Sequence, residues 1–109
     1  MTQKEKELLL KDLCVRLPYE TMFYSDRYGE ECLLSIDLEY NKVNELYSLE
    51  EIKPYLRPMS SMTEEEEIAF LNKENHEIYD FLNANHFDYR GLIEKGLAIE
   101  APGGMYKRL

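Results

Sequence analysis

The sequence predicts an α+β domain: an N-terminal helix, a small antiparallel three-strand meander, and C-terminal helices. Three observations carry that reading. Leucines at helical spacing open the chain, a two-residue alternation runs from Cys32 to Tyr40, and Ser or Thr followed three residues later by Glu marks helix starts. At 109 residues the chain fits a single domain spanning 1–109, with 100–109 expected as a loose C-terminal tail.

Thr2 and Glu5 form the first such capping pair, and Leu8, Leu9, Leu13 and Leu17 follow at helical spacing. A helix is therefore predicted over Lys4–Arg16, stopped by Pro18, which disfavours helical geometry at the residue before it. Tyr19 to Ser25 has the Tyr, Thr and Phe content of a strand, and Asp26 to Gly29 reads as a turn. Next comes the clearest strand pattern. Cys32, Leu34, Ile36, Leu38 and Tyr40 share one face, while Glu31, Leu33, Ser35, Asp37 and Glu39 give the other a mostly acidic character. Asn41-Lys42 suits a tight turn, and Val43 to Tyr47 a short return strand.

Ser48 and Glu51 make a second capping pair, which predicts a short helix carrying Leu49, Ile52, Tyr55 and Leu56 on one side. Pro54 and Pro58 bracket its end, and Pro58 to Met62 forms a connector. Thr63 with Glu66 is the third pair. Glu64 to Glu67 fill that helix's first turn, where carboxylates meet the positive end of the helix dipole, so the charge run has a structural reason. Ile68, Leu71, Ile78, Phe81 and Leu82 continue the pattern, with Asn72 to Asn75 a weak stretch and Asn83 to His86 the close. A short helix over Tyr89–Lys95 with Gly96 just beyond it, then a strand over Leu97–Glu100, complete the chain before Pro102.

Charge narrows the function classes. A net charge of −9 repels phosphate backbones, so direct nucleic-acid binding through a basic surface is not expected. Acidity favours solubility and attraction to a basic partner. It is concentrated between Glu20 and Glu51, where nine acids face only Arg27 and Lys42. Cys14 and Cys32, the only cysteines, are expected as core fillers in a reduced compartment. A charged N-terminus and the lack of a long apolar run point to a cytoplasmic protein without a membrane partner.

Two clusters carry candidate chemistry. His86, Asp88, Tyr89 and Arg90 place a base, an acid, a phenol and a guanidinium within five residues, the makings of a hydrolytic or phosphate-handling site. The competing reading is a helix junction in which Asp88 caps the next element and Arg90 pairs with a nearby acid. Tyr55, Leu56, Arg57, Pro58 and Met59 combine residue types enriched in interface cores with a proline-stiffened backbone, so they are candidate partner-binding residues. Their competing role is covering the sheet. His76 and His86 lie too far apart for a two-histidine metal motif, and Glu64 to Glu67 splay around a helix. Gly103-Gly104 does not open a helix after a strand, and no serine has an elbow context. No catalytic residue, metal or cofactor is predicted.

Two longer stretches, Ile52 to Glu66 and Phe81 to Ala98, together with the leucine-rich opening that ends in Leu17-Pro18-Tyr19, carry a resemblance. On them the chain resembles a family of small uncharacterised proteins from gut Bacteroides and their prophages. The resemblance covers most of the chain and implies a bacterial cytoplasmic protein associated with phage or other mobile DNA. It implies no activity, ligand or catalytic residue. The expected function is a non-enzymatic protein-binding or regulatory accessory module whose partner is another protein. The alternative is a small enzyme or ligand-binding domain using the His86, Asp88, Tyr89 and Arg90 cluster, and a homo-oligomer through an exposed sheet edge is a third reading.

Overall fold

The computed structural model describes residues 2–26, 29–34 and 51–106. Its elements are α1 (Gln3–Arg16), β1 (Thr21–Ser25), β2 (Glu30–Leu34), β3 (Ile52–Pro58), α2 (Glu64–Leu71), α3 (Asn75–Ala84), β4 (Phe87–Asp88) and β5 (Ile99–Glu100). Helices and a sheet together give the α+β class.

The first capping pair forms as the sequence requires. Glu5 N–H donates to Thr2 Oγ1 at 3.1 Å, and Thr2 N–H donates back to the Glu5 carboxylate at 2.9 Å. From there α1 buries Leu9, Asp12, Leu13 and Arg16. Cys14 is exposed, which corrects its expected role as a core filler. At roughly 100° per residue it stands one step around the helix from Leu13.

The sheet is mixed, where an antiparallel meander was expected. β1 pairs antiparallel with β2, from Thr21 opposite Leu34 to Ser25 opposite Glu30, and antiparallel with β3. β3 then pairs in parallel with β4 at Arg57 and Pro58 and with β5 at Tyr55 and Leu56. The alternation beyond Leu34, the return strand over Val43–Tyr47 and the cap at Ser48 lie outside the described residues.

β3 overturns the helix expected around Ile52 to Leu56. Inside a helix Pro54 would remove a backbone donor and collide with the preceding turn. Ile52, Pro54, Tyr55 and Leu56 are all buried, as befits a central strand with both faces covered. The helix expected to carry Ile52, Tyr55 and Leu56 is therefore replaced by an extended strand from Ile52 onward.

The third capping box is present in full: Glu66 N–H donates to Thr63 Oγ1, and Thr63 N–H to Glu66 Oε1. The helical pattern breaks after Leu71 and resumes at Asn75, inside the stretch read as weak. His86, at φ +62°, turns the chain out of α3 into the two-residue strand β4, which periodicity did not reveal.

The helix expected over Tyr89–Lys95 is instead a series of turns. Gly91 at φ +71° interrupts helical geometry, and the Asp88 carboxylate accepts from Leu92 N–H at 2.9 Å and Ile93 N–H at 3.0 Å. Leu92, Leu97 and Ala98 then join Leu9, Leu13, Phe23, Ile52 and Leu56 in the core. Among the described residues after β5, Ala101 N–H donates to Leu56 C=O at 2.8 Å, and Tyr106 returns to the sheet. No helix among the described residues is long and apolar enough to cross a membrane.

Candidate functional site

The left-handed turn at His86 sends its ring inward. Its Nδ1 lies 3.2 Å from Thr21 Oγ1, and its ring stacks on Tyr106. Burial, then the charges of Arg16 and Arg57, lower its pKa to about 4. At neutral pH this imidazole is uncharged and enclosed.

Asp88 is buried with both carboxylate oxygens engaged by backbone N–H groups. Tyr89 and Arg90 face elsewhere, into a polar ladder. Arg16, fully buried, holds Asp12 through two contacts, Nε to Oδ2 at 2.8 Å and Nη2 to Oδ1 at 3.1 Å, and donates to Phe87 C=O at 2.6 Å. Arg90 Nε approaches the same Asp12 at 3.2 Å, and Arg90 Nη2 donates to the Tyr89 hydroxyl. That hydroxyl in turn donates to Asn83 Oδ1 at 2.9 Å. The four residues 86, 88, 89 and 90 thus divide between different partners and do not converge on one reacting centre.

The segment from Tyr55 to Met59 is likewise divided. Tyr55 and Leu56 are buried in β3. Arg57 grips Glu66 with two 2.7 Å bonds, reaches Ser61 C=O, and lies 4.2 Å over the Phe87 ring. These bonds, with the capping contacts of Thr63, hold the Glu66 pKa down at about 2, too low for a general base at neutral pH. Pro58 and Arg57 border a cavity of about 500 Å³ that Gly103, Gly104 and Tyr106 also line. Met59 is exposed but stands apart from the two buried members.

Glu74, His76 and Glu77 bring three ligand-type atoms within 4.8 Å at the start of α3. All three side chains are open to water, and His76 directs a different ring nitrogen to each carboxylate, at 3.6 and 3.5 Å. The positive end of the helix dipole further disfavours a cation there.

A different surface gathers more chemistry. α1 and α3 border an open groove of about 730 Å³. Lys11, Cys14 and Val15 of α1 meet Tyr79, Asp80 and Asn83 of α3 across it, with Pro18, Tyr19, Tyr89 and Arg90 completing the walls. Tyr79 is 61% exposed and tilts against Tyr89, with ring centroids 5.3 Å apart. Burial raises the pKa of Cys14, so its thiol stays protonated and acts as an apolar wall atom. Sequence reasoning passed over Tyr19, Tyr79 and Asn83. The signal was there: Tyr79 and Asn83 are spaced i, i+4, as are Lys11 and Val15, so each pair shares a helix face.

No family model, curated protein or solved structure matches the chain.

Proposed function

We propose that the chain is a non-enzymatic protein-binding module, a small accessory or regulatory domain that takes its partner protein in the groove between α1 and α3. The observation that carries this reading is the combination of exposed Tyr79 and Val15 above a buried, hydrogen-bonded floor. Large aromatic side chains held at the mouth of a rigid concave surface are the usual anchors of protein recognition. The polar groups that could have served catalysis hold the fold together, with Asp88 on backbone amides and Arg90 on Asp12. The groove is preferred to the Tyr55–Met59 segment because Tyr55 and Leu56 are buried, which leaves Met59 as that segment's exposed member.

A photo-crosslinking residue at position 79, with the same residue at exposed Leu71 as control, tests the reading in cells that express the chain. A discrete cross-linked protein from position 79 and not from 71 is the expected result. Identical products from both positions, or none from 79, would overturn it.

A further inference from the structure

The groove's polar lining has a bias that specifies its partner. Asn83 is 5% exposed, and its carboxamide oxygen is fixed by the Tyr89 hydroxyl. That fixes the amide orientation and leaves Nδ2 as a donor with no partner among the described residues, in a side chain that lines the groove. Lys11 and Arg90 add further donors, whereas Asp80 is the one carboxylate in the lining. Beneath them a single carboxylate, Asp12, faces the two guanidiniums of Arg16 and Arg90, so the floor carries an excess of positive charge. The walls are the tilted Tyr79–Tyr89 pair with Tyr19, Pro18 and Val15.

A donor-rich, aromatic groove calls for a ligand rich in acceptors and poor in donors. A helical peptide has satisfied its own carbonyls, and an added β-strand needs a sheet edge, which two helices do not offer. A proline-rich segment differs from both. Its polyproline II backbone carries no internal hydrogen bonds, its carbonyls face outward, and each proline lacks an N–H. Its flat rings seat between aromatic side chains, and its stiffness reduces the ordering cost of binding.

We infer that the α1–α3 groove binds a proline-rich, polyproline II segment of the partner protein, with Asn83 Nδ2 donating to a backbone carbonyl of that segment and Tyr79 packing on its proline rings. This inference rests on the protein-binding reading and can fail separately from it. The test titrates the full chain, followed by two-dimensional amide NMR, with a dodecapeptide of repeated Pro-x-x-Pro pattern. A proline-to-alanine version of equal charge and an amphipathic helical peptide serve as comparisons.

The proline peptide is expected to shift resonances of Lys11, Tyr79, Asn83 and Tyr89 and to bind at least about tenfold more tightly than the alanine version. Tyr79→Ala, an exposed change that leaves the fold intact, should weaken it about tenfold. Asn83→Asp should weaken it similarly, since it keeps the acceptor for Tyr89 and removes the donor. Equal binding of all peptides in the groove overturns the proline inference and leaves the protein-binding reading standing. Binding of the proline peptide that ignores both substitutions, or no binding of it at all, also overturns the inference. The cross-linking result at position 79 then decides the broader reading on its own.

Discussion

Tyr106 stacks on His86 with ring centroids 3.7 Å apart and planes 15° from parallel, and this contact joins the turn after β5 to the residue that leads into β4. The same phenol fills a gap in the sheet. The β1–β3 register closes with Phe23 opposite Pro54, and the next rung would set Met22 against Tyr55. There the Tyr106 hydroxyl accepts from Met22 N–H at 2.9 Å and donates to Tyr55 C=O at 2.6 Å. One side chain thereby satisfies two backbone groups that the splayed strands leave behind.

Tyr106→Phe keeps the stack and removes the bridge, so it should cost about 1–3 kcal/mol, the penalty for leaving buried backbone groups unpaired. It should also change the alkaline limb of stability. Burial pushes the phenol pKa up to about 12 from 10, so the unfolded chain loses this proton first and stability falls between those two values. Denaturant midpoints taken from pH 9 upward should drop less steeply in the phenylalanine variant. Equal slopes for both proteins would refute the bridge as the titrating element.

His86 governs an acid window. Its folded pKa of about 4 lies below the ordinary 6.5, so between those values the unfolded chain holds a proton that the folded chain refuses. Stability is therefore full above pH 6.5 and declines as the pH falls toward 4. His86→Asn suits the left-handed backbone at this position and cannot titrate. The variant starts less stable, having lost the Tyr106 stack, but its melting temperature should change less between pH 7 and pH 5. A slope as steep as the parent's would show that another group titrates there.

Glu66 and Arg57 act at lower pH. The Glu66 carboxyl, drawn down to about 2 from 4.5, contributes stability that is present above 4.5 and lost as the pH falls toward 2. Protonating it breaks the paired 2.7 Å bonds to Arg57 and the return bond to Thr63 N–H, which together anchor α2 to β3. Glu66→Gln should cost about 2–3 kcal/mol at neutral pH and remove most of the loss between those pH values. Thr63→Ala should cost about 1 kcal/mol and leave the acid slope in place. Urea midpoints at pH 7 and pH 3 separate the two variants.

How far the sequence disclosed this arrangement depended on the range of each interaction. Capping pairs at Thr2 and Thr63 and the break near Asn72 were legible because their causes lie within four residues. β3 was not. Its extended form is imposed by pairing with β1, β4 and β5, while Ile52, Tyr55 and Leu56 keep a helix-like spacing. β4 is too short for any period to register, and the hold on Tyr106 spans 84 residues to Met22. The candidate site was hidden in the same way. Asn83 is unremarkable as a helix-closing residue until Tyr89 fixes its oxygen and α1 supplies the facing wall.

The ladder under the groove makes the sharpest demand on composition. Asp12 and Arg16 are both fully buried, one helical turn apart, and Arg90 reaches Asp12 from a loop 78 residues away. Asp12→Ala strands the Arg16 guanidinium without its counter-ion and should cost roughly 3–5 kcal/mol, enough to unfold much of the population. Replacing both members, as in Asp12→Leu with Arg16→Met, removes the buried charge together with its partner. That variant should recover most of the loss, because an apolar pair of similar volume is often as stable as a buried ion pair. Recovery will be incomplete by about 1–2 kcal/mol, since Phe87 C=O loses its donor. Arg90 can turn to water from its partly exposed position, so it adds no stranded charge. Calorimetry on the three proteins decides the matter: if the double variant is no more stable than Asp12→Ala, the ion pair contributes net stability and is not merely a tolerated charge. A double variant that folds but no longer holds Tyr89 and Asn83 in place should also lose the groove's partner, because the ladder that orients the Asn83 donor begins at Asp12.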